Sequence, residues 1–349
     1  MTLWVDKEPR RRRSVVRNPA LDVVVEGDSL RIGPHFRVSF QRTLRIPDDG
    51  QTYPLPPGLG NFPIRRVADY ADRVPAEWRE RGGVFLPMYQ REAMWLAFHC
   101  DWWRAVAVQV GIGKVCAITG RAWRERLNRT PARQNYVVCP DQPWLDGINA
   151  GDGFIRQFVA MPLGQGYTVE GQLTGEEKFG GVQIRVVEPR PGRFPEKPPK
   201  EHLDREWAGP ADLLCCMVAE TSMGLGAGGR MRQKIYPDPH GARTWDESNA
   251  GRVYVHIANS AAWTAITGEP LPPTPISAEL YTRYGFPWFD LYDEKKGDLA
   301  SSGVLKGVAS IAEIDAEKGL PPDPEDATVD VAAGQVVGIG GKKVVDGQW

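Results

Sequence analysis

The sequence lacks any run of about 18 consecutive apolar residues, so it predicts no membrane-spanning helix. Its first 19 residues are basic but contain no continuous apolar segment, and a secretory signal is therefore not expected. Cysteine is scarce, with five in 349 residues, and none are in C-x-x-C spacing. An odd number without that spacing disfavours both a disulfide framework and a zinc site. We therefore expect a reducing, cytoplasmic location.

Net charge is also nearly absent, because 43 Lys and Arg oppose 44 Asp and Glu. A neutral chain provides no general field for a polyanion, so nucleic acid is not an expected partner. The run Arg10–Arg13 lies in a segment, residues 1–20, that we interpret as a flexible, solvated arm, because no aromatic residues interleave the charges.

Glycine and proline are abundant, at 38 and 30 residues, which predicts short elements and frequent turns. Residues 21–32 read as a hairpin, and Phe36, Val38 and Phe40 alternate with polar residues as in a half-buried strand. We predict an α+β, β-rich domain over residues 21–297, with an antiparallel sandwich or barrel-like core and a few short helices.

Helices are predicted where apolar spacing or capping residues fit a helical period. These segments are residues 75–82, 88–99, 277–285 and 302–318, whereas residues 167–175 read as a strand. The proline-rich residues 189–200 predict a long surface loop. Residues 298–349 are interpreted as an amphipathic helix followed by a Gly/Val-rich tail, whose strands need a sheet edge in this chain or in a neighbour.

Two glycine motifs resemble phosphate loops. Gly224–Gly229 satisfies G-x-G-x-x-G, but Pro237 leaves no room for the helix that a dinucleotide fold requires. A Gly-rich turn followed by Arg230 and Lys234 could still hold an anion, or could simply be a solvated loop. Gly113-Lys114 lacks the earlier glycine and the following hydroxyl of a Walker loop.

A few carboxylates and histidines lie close enough in the sequence to be candidate metal ligands. The candidates are Asp238, His240 and Asp246, with His256 nearby in a predicted strand, but their spacing matches no known ligand pattern. A surface His240 and a core His256 are the simpler interpretation. No cofactor is predicted.

Tryptophan is frequent, with 12 residues, and Trp144 lies beside Asp146 in a predicted loop. Such a tryptophan either stacks on a sugar or base, or closes the end of a hydrophobic core. The ligand-binding candidates are Trp144, Asp146, Asp152, Arg230 and Lys234.

Four segments together resemble a family of uncharacterised proteins found in bacteria and fungi. They are SFQRTLRIPDDGQTYPLPPGLGNFP, MYQREAMW, QPWLDGI and IRQFVAMPLGQGYTVEGQLTG. The resemblance extends over about residues 30–297 and implies one large unit. No activity is known for the family, so it assigns no site residue.

Two functional hypotheses follow. The first is a non-catalytic cytosolic assembly or interaction protein that forms a homo-oligomer or binds a protein partner, because catalytic signatures are lacking, aromatics are many and helix 302–318 is amphipathic. The alternative is an enzyme or binding protein that acts on a glycan or phosphorylated metabolite through loops 142–152 and 224–246. The alternative requires the two loops to converge on one pocket.

Overall fold

The computed structural model describes residues 21–151, 153–198, 222–291, 296–300 and 302–338. Within them the strands are β1 (Val23–Glu26), β2 (Ser29–Ile32), β3 (Phe36–Thr43), β4 (Thr52–Tyr53), β5 (Gly58–Asn61), β6 (Arg65–Arg66), β7 (Val84–Met88), β8 (Ala93–Cys100), β9 (Val106–Ile112), β10 (Val115–Cys116), β11 (Val137–Cys139), β12 (Trp144–Leu145), β13 (Gly147–Gly151), β14 (Phe154–Pro162), β15 (Val182–Pro189), β16 (Ser222–Arg232), β17 (Trp245–Asn259), β18 (Trp288–Asp290) and β19 (Val336–Gly338).

The helices in the same ranges are short: α1 (Ala76–Arg81), α2 (Val169–Thr174), α3 (Ser260–Thr267), α4 (Ala278–Arg283), α5 (Gly303–Lys306) and α6 (Ile311–Glu317). Single 3₁₀ turns occur at Val67–Tyr70, Pro131–Arg133, Pro324–Asp326 and Ala333–Gln335. None of the helices in this part of the chain is long and apolar enough to cross a membrane.

Most neighbouring strands in the large sheet are antiparallel. β15 lies between β9 and β17, β14 pairs with β8, β13 and β16, and β3 lies between β2 and β8. Parallel pairs join β7 to β17 and β4 to β16. The predicted β-rich α+β class with a few short helices is confirmed, and its strands form one large, mainly antiparallel sheet.

Alternate residues of the main strands share one hydrophobic core. Val38 of β3, Val108 of β9, Ile184 of β15 and Val255 of β17 are fully buried members of the same cluster. Since residues i and i+2 of a strand face the same side, the sheet encloses this core with one face and leaves the other for additional contacts.

The predicted helix over residues 88–99 is wrong, because this segment forms most of β8. Met94, Leu96 and Phe98 enter the core, while Trp95 lies on the opposite face. The apolar positions fit a helical stripe and a strand equally well over so short a stretch. The eight-residue antiparallel pairing with β3 selects the strand, and local spacing does not reveal that partner.

The expected strand over residues 167–175 is helix α2. Thr168 Oγ1 accepts a hydrogen bond from Gly171 N at 3.0 Å, and Gly175 ends the helix in the left-handed region. These are the N-cap and C-cap features of a helix. The hairpin over residues 21–32 and the helices after Pro75 and Ser277 are confirmed.

The Gly-rich segment Gly224–Gly229 lies within strand β16 and does not form a turn or a flexible loop. A Cβ on Gly228 would lie 2.5 Å from Val159 Cγ2, and one on Gly229 would lie 2.3 Å from the Pro47 carbonyl oxygen. The glycines therefore allow neighbouring chain segments to approach β16 closely.

The segment after residue 302 packs on its own chain. The predicted single helix is two, α5 and α6, and Leu305, Val308 and Ile311 of the predicted apolar face are buried there. Two carboxylates beyond α6 also bind to the core of the chain. Asp323 and Asp326 pair with Arg45 at 2.9 and 2.5 Å, and the Arg45 side chain is only 3% exposed.

Within the described part of the tail, β19 runs parallel to β18 in a separate two-stranded sheet. Residues 339–349, like the arm 1–20, lie outside the described residues.

Candidate functional site

Three adjacent strands present polar and aromatic side chains on the face opposite the main core. Ser39 of β3 pairs with Ala97 of β8, and Ala97 pairs with Trp144 of β12. Gln41 pairs with Trp95 in the next row. Because side chains alternate along each strand, this pairing places Ser39, Gln41, Trp95 and Trp144 on one surface.

This surface is the floor of a cavity of about 720 Å³, which we call the aromatic cavity. Its wall is formed by residues 55–58 and by the chain around β18, which are joined by two hydrogen bonds. Leu55 N donates to Phe289 O at 2.8 Å, and Phe289 N donates to Leu55 O at 2.9 Å. The aromatic side chains that line it on this face are Trp95, Trp144 and Phe289, and the polar lining includes Ser39, Gln41, Asn61, His99 and Asp146.

Gly58 keeps the wall close to the aromatic floor. A Cβ at this position would lie 3.3 Å from Trp95 Cζ2 and 3.4 Å from Gln41 Oε1. A larger side chain would therefore push against the ring and the amide that line the cavity.

Asp146 is a buried carboxyl at the edge of this cavity, with 4% of its surface exposed. Gln233 Nε2 donates to Asp146 Oδ2 at 2.7 Å, and Asp146 N donates to Gln233 Oε1 at 3.0 Å. Burial raises the pKa of the Asp146 carboxyl to about 7, although hydrogen bonds from Trp144 and Gln233 oppose the rise. Near neutral pH the group is therefore present both as a hydrogen-bond donor and as an acceptor.

Three other side chains, Gln41, Trp95 and His99, offer uncharged hydrogen-bonding groups to the cavity. Gln41 Nε2 donates to Ser39 Oγ at 2.9 Å and also to Asn61 Oδ1, which fixes the orientation of the Gln41 amide. Trp95 Nε1 is buried and has no hydrogen-bond partner within the described chain. Burial, then the nearby Arg37, lowers the pKa of His99, which favours the neutral imidazole.

The structure brings together only part of the set of ligand-binding residues predicted from the sequence. Trp144 and Asp146 line the cavity, whereas the Arg230 guanidinium stacks over the Phe154 ring at 4.9 Å. Lys234 contributes its carbonyl oxygen, which accepts a hydrogen bond from Gln142 at 3.3 Å. Asp152 lies outside the described residues.

The segments 142–152 and 224–246, predicted to be loops, contain the strands β12 and β13, the greater part of β16 and the start of β17, and they meet beneath the cavity. The Asp146–Gln233 pair joins them, and Tyr236 N donates to Gln142 Oε1 at 3.0 Å. The segment 224–246 therefore supports the site from below and does not line it.

The predicted metal candidates have other roles. Asp238 Oδ2 accepts hydrogen bonds from the Tyr136 hydroxyl at 2.6 Å and from Trp245 Nε1 at 2.9 Å. Asp246 accepts from the Ser248 hydroxyl at 2.6 Å. No group of three metal-ligating side chains occurs in the part of the chain that the structure describes.

The two histidines of the metal hypothesis both contact aromatic rings. His240 meets the Phe194 ring edge-on at 4.9 Å, and His256 stacks on Trp78 at 4.7 Å. Burial lowers the pKa of His256 to about 4, so this imidazole is neutral in the core.

Sequence reasoning missed Trp95, Gln41, Asn61 and Phe289. The alternation of β3 already placed Gln41 opposite the core, and extending it to residues 93–100 would have exposed Trp95 on the same face. Phe289 reaches the site through pairing over more than 200 residues, for which the sequence carries no local signal.

Comparisons with protein-family models, curated proteins and solved structures found no match to this chain.

Proposed function

We propose that the protein binds a neutral glycan in the aromatic cavity. The observation that carries the proposal is the combination of Trp95 and Trp144 with the amide and carboxyl groups of Gln41 and Asp146 on one concave surface. Sugar rings present apolar C–H faces, which stack on aromatic rings, and hydroxyl groups, which need both donors and acceptors.

The charge of the lining supports a neutral ligand over a phosphorylated one. The described residues that line the aromatic cavity include no lysine or arginine, the residues that most often bind phosphate. Asp146 is the one carboxyl among them, whereas glycoside hydrolysis commonly uses two. Binding is therefore the activity that this lining favours.

The hypothesis of an assembly or interaction protein stays a prediction. One of its three grounds was an amphipathic helix over residues 302–318. The buried contacts of α5 and α6 use that apolar face within this chain.

The test is calorimetric titration of the full chain with neutral disaccharides and oligosaccharides, using Trp95→Ala and Trp144→Ala. Each ring should contribute about 1–2 kcal/mol to binding, so each variant should bind roughly ten times more weakly. Trp102→Ala is the matched control, because Trp102 is 50% exposed and does not line the cavity. Equal weakening in all three variants, or no binding by the folded wild type, would contradict the proposal.

A further inference from the structure

A second cavity, of about 610 Å³, shares no lining residue with the aromatic cavity. It is bounded by β1, β7, β17 and the end of α1, and we call it the basic cavity. Four cationic side chains line it: Arg66, Arg81, Lys114 and Arg252.

Lys114 reaches this cavity from the tight turn between β9 and β10. Glu170 holds the turn, because its Oε1 accepts from Lys114 N at 2.9 Å. Its Oε2 accepts from Phe179 N at 3.1 Å and from Gly180 N at 2.8 Å. One buried carboxylate therefore fixes both the lysine turn and the phenylalanine loop that border the cavity.

Gly113 makes this arrangement possible. Its φ of +52° is in the left-handed region, and a Cβ there would lie 2.3 Å from the Glu170 carboxyl carbon. The Gly113-Lys114 pair that fails as a Walker loop thus has a structural reason for its glycine.

Two of the cations converge on the Phe179 ring. The Arg81 guanidinium lies 4.5 Å from the ring centroid, and Lys114 Nζ lies 4.7 Å from it. Arg81 also donates to the Phe179 and Lys178 carbonyl oxygens, at 3.4 and 3.2 Å. Both positive charges therefore lie within 5 Å of the centroid of the same aromatic ring.

The other two cations are already paired. Arg252 meets Glu125 at 2.7 Å, and Arg66 meets Asp69 at 2.5 Å. By contrast, neither Arg81 nor Lys114 makes an ion pair with a carboxylate in the described ranges.

The electrostatics of Lys114 agree with unbalanced positive charge. Burial, followed by repulsion from Arg252 and Arg81, lowers the pKa of the Lys114 ammonium, and the attraction of Glu125 and Glu170 only partly opposes this shift. An anion placed between Lys114 and Arg81 would offset this repulsion.

The cavity also offers groups for the rest of a ligand. Asp22 and Glu80 line it and can accept hydrogen bonds from hydroxyl groups, while Val23 and Val84 add apolar surface. A multiply charged polyanion is disfavoured by these two carboxylates, whereas one phosphate with a hydroxylated remainder matches the lining.

We propose that the basic cavity binds a phosphate monoester, with the phosphate between Lys114 and Arg81 and the hydroxyl groups of the ligand donating to Asp22 and Glu80. A phosphate group near neutral pH carries a charge of about −1.5 to −2, which two cations balance. This site is independent of the glycan proposal, because the two cavities have separate linings.

Calorimetric titrations with inorganic phosphate, ribose 5-phosphate and ribose test the proposal on the full chain. We expect ribose 5-phosphate to bind more tightly than phosphate, and ribose alone not to bind. Lys114→Met should weaken the binding of ribose 5-phosphate by about tenfold or more. Lys178→Met is the control, since Lys178 is 63% exposed, pairs with Glu176 and does not line the cavity, and it should change affinity less than about twofold.

A measurement on the wild type removes any dependence on how the variants fold. The pKa of the Lys114 ammonium, followed by NMR, should rise when ribose 5-phosphate saturates the protein, because the added anion favours the charged form. No binding of either phosphate probe up to about 10 mM, an unchanged affinity in Lys114→Met, or an unchanged Lys114 pKa on addition of the ligand would overturn the proposal. Equal affinity for the two phosphate probes would overturn the choice of a monoester over free phosphate.

Discussion

Replacing Asp146 with asparagine should remove a pH-dependent loss of stability from the protein. Burial raises the pKa of this carboxyl from an ordinary 3.8 to about 7 in the folded chain. The folded state therefore binds the proton more tightly than the unfolded state does. The free energy of unfolding is greatest while Asp146 is protonated and falls as the pH rises from about 4 to 7. Above pH 7 the contribution of this carboxyl is completely lost.

The magnitude follows from the two pKa values. One pH unit of difference corresponds to about 1.4 kcal/mol, so the ionised carboxyl costs the fold about 4 kcal/mol at pH 8. The asparagine side chain of the Asp146→Asn variant carries no charge, but its amide N–H replaces an acceptor near Trp144 and Gln233, at a cost of about 1–3 kcal/mol. The cost of the amide is the same at every pH between about 4 and 8. A difference between the two proteins in how the free energy of unfolding changes with pH therefore reports only the carboxyl.

Urea unfolding at several pH values between 4 and 8 measures both quantities. The wild type should lose about 4 kcal/mol more than Asp146→Asn across this interval. Glu279→Gln, at a side chain 75% exposed on α4, is the control for removing one negative charge. Parallel pH profiles for the wild type and Asp146→Asn would refute the buried, proton-binding carboxyl.

Two further perturbations probe how charge is buried elsewhere. Arg42→Met should lower the free energy of unfolding by about 3–5 kcal/mol in urea titrations, because it removes the only cation that pairs, within the described residues, with Glu92, whose side chain is 1% exposed. Conservation of wild-type stability would show that Glu92 is protonated in the fold. Deleting residues 320–349 should cost about 3 kcal/mol or more, because it removes the carboxylates paired with buried Arg45, and an unchanged thermal midpoint would show that this segment is peripheral.

The parts of the fold that were predictable are those set by neighbouring residues. The Glu26-Gly27 turn closes the first hairpin, and Ser277 caps α4. Both depend on interactions over three or four residues, which the order of residue types reveals. The β-rich class followed from the same kind of local signal, repeated along the chain.

Prediction failed where a distant partner decides between two locally acceptable structures. Residues 93–100 fit helix and strand patterns, and distant partners, chiefly β3 about 60 residues earlier, select the strand. The same choice determines the candidate site. As a helix this segment would place Trp95 beside Met94 and Phe98 in the core, whereas as a strand it directs Trp95 away from them.

The position of Asp146 shows why a site residue can be found while its chemistry is missed. Asp146 follows Trp144 by two residues in the sequence, so the two were grouped as a candidate site, and both line the aromatic cavity. Its raised pKa depends on burial and on Gln233, which lies 87 residues later. Local sequence indicates which side chains share a strand face, but the distance to a partner strand determines whether a carboxyl there is solvated and charged, or buried and able to hold a proton for a ligand.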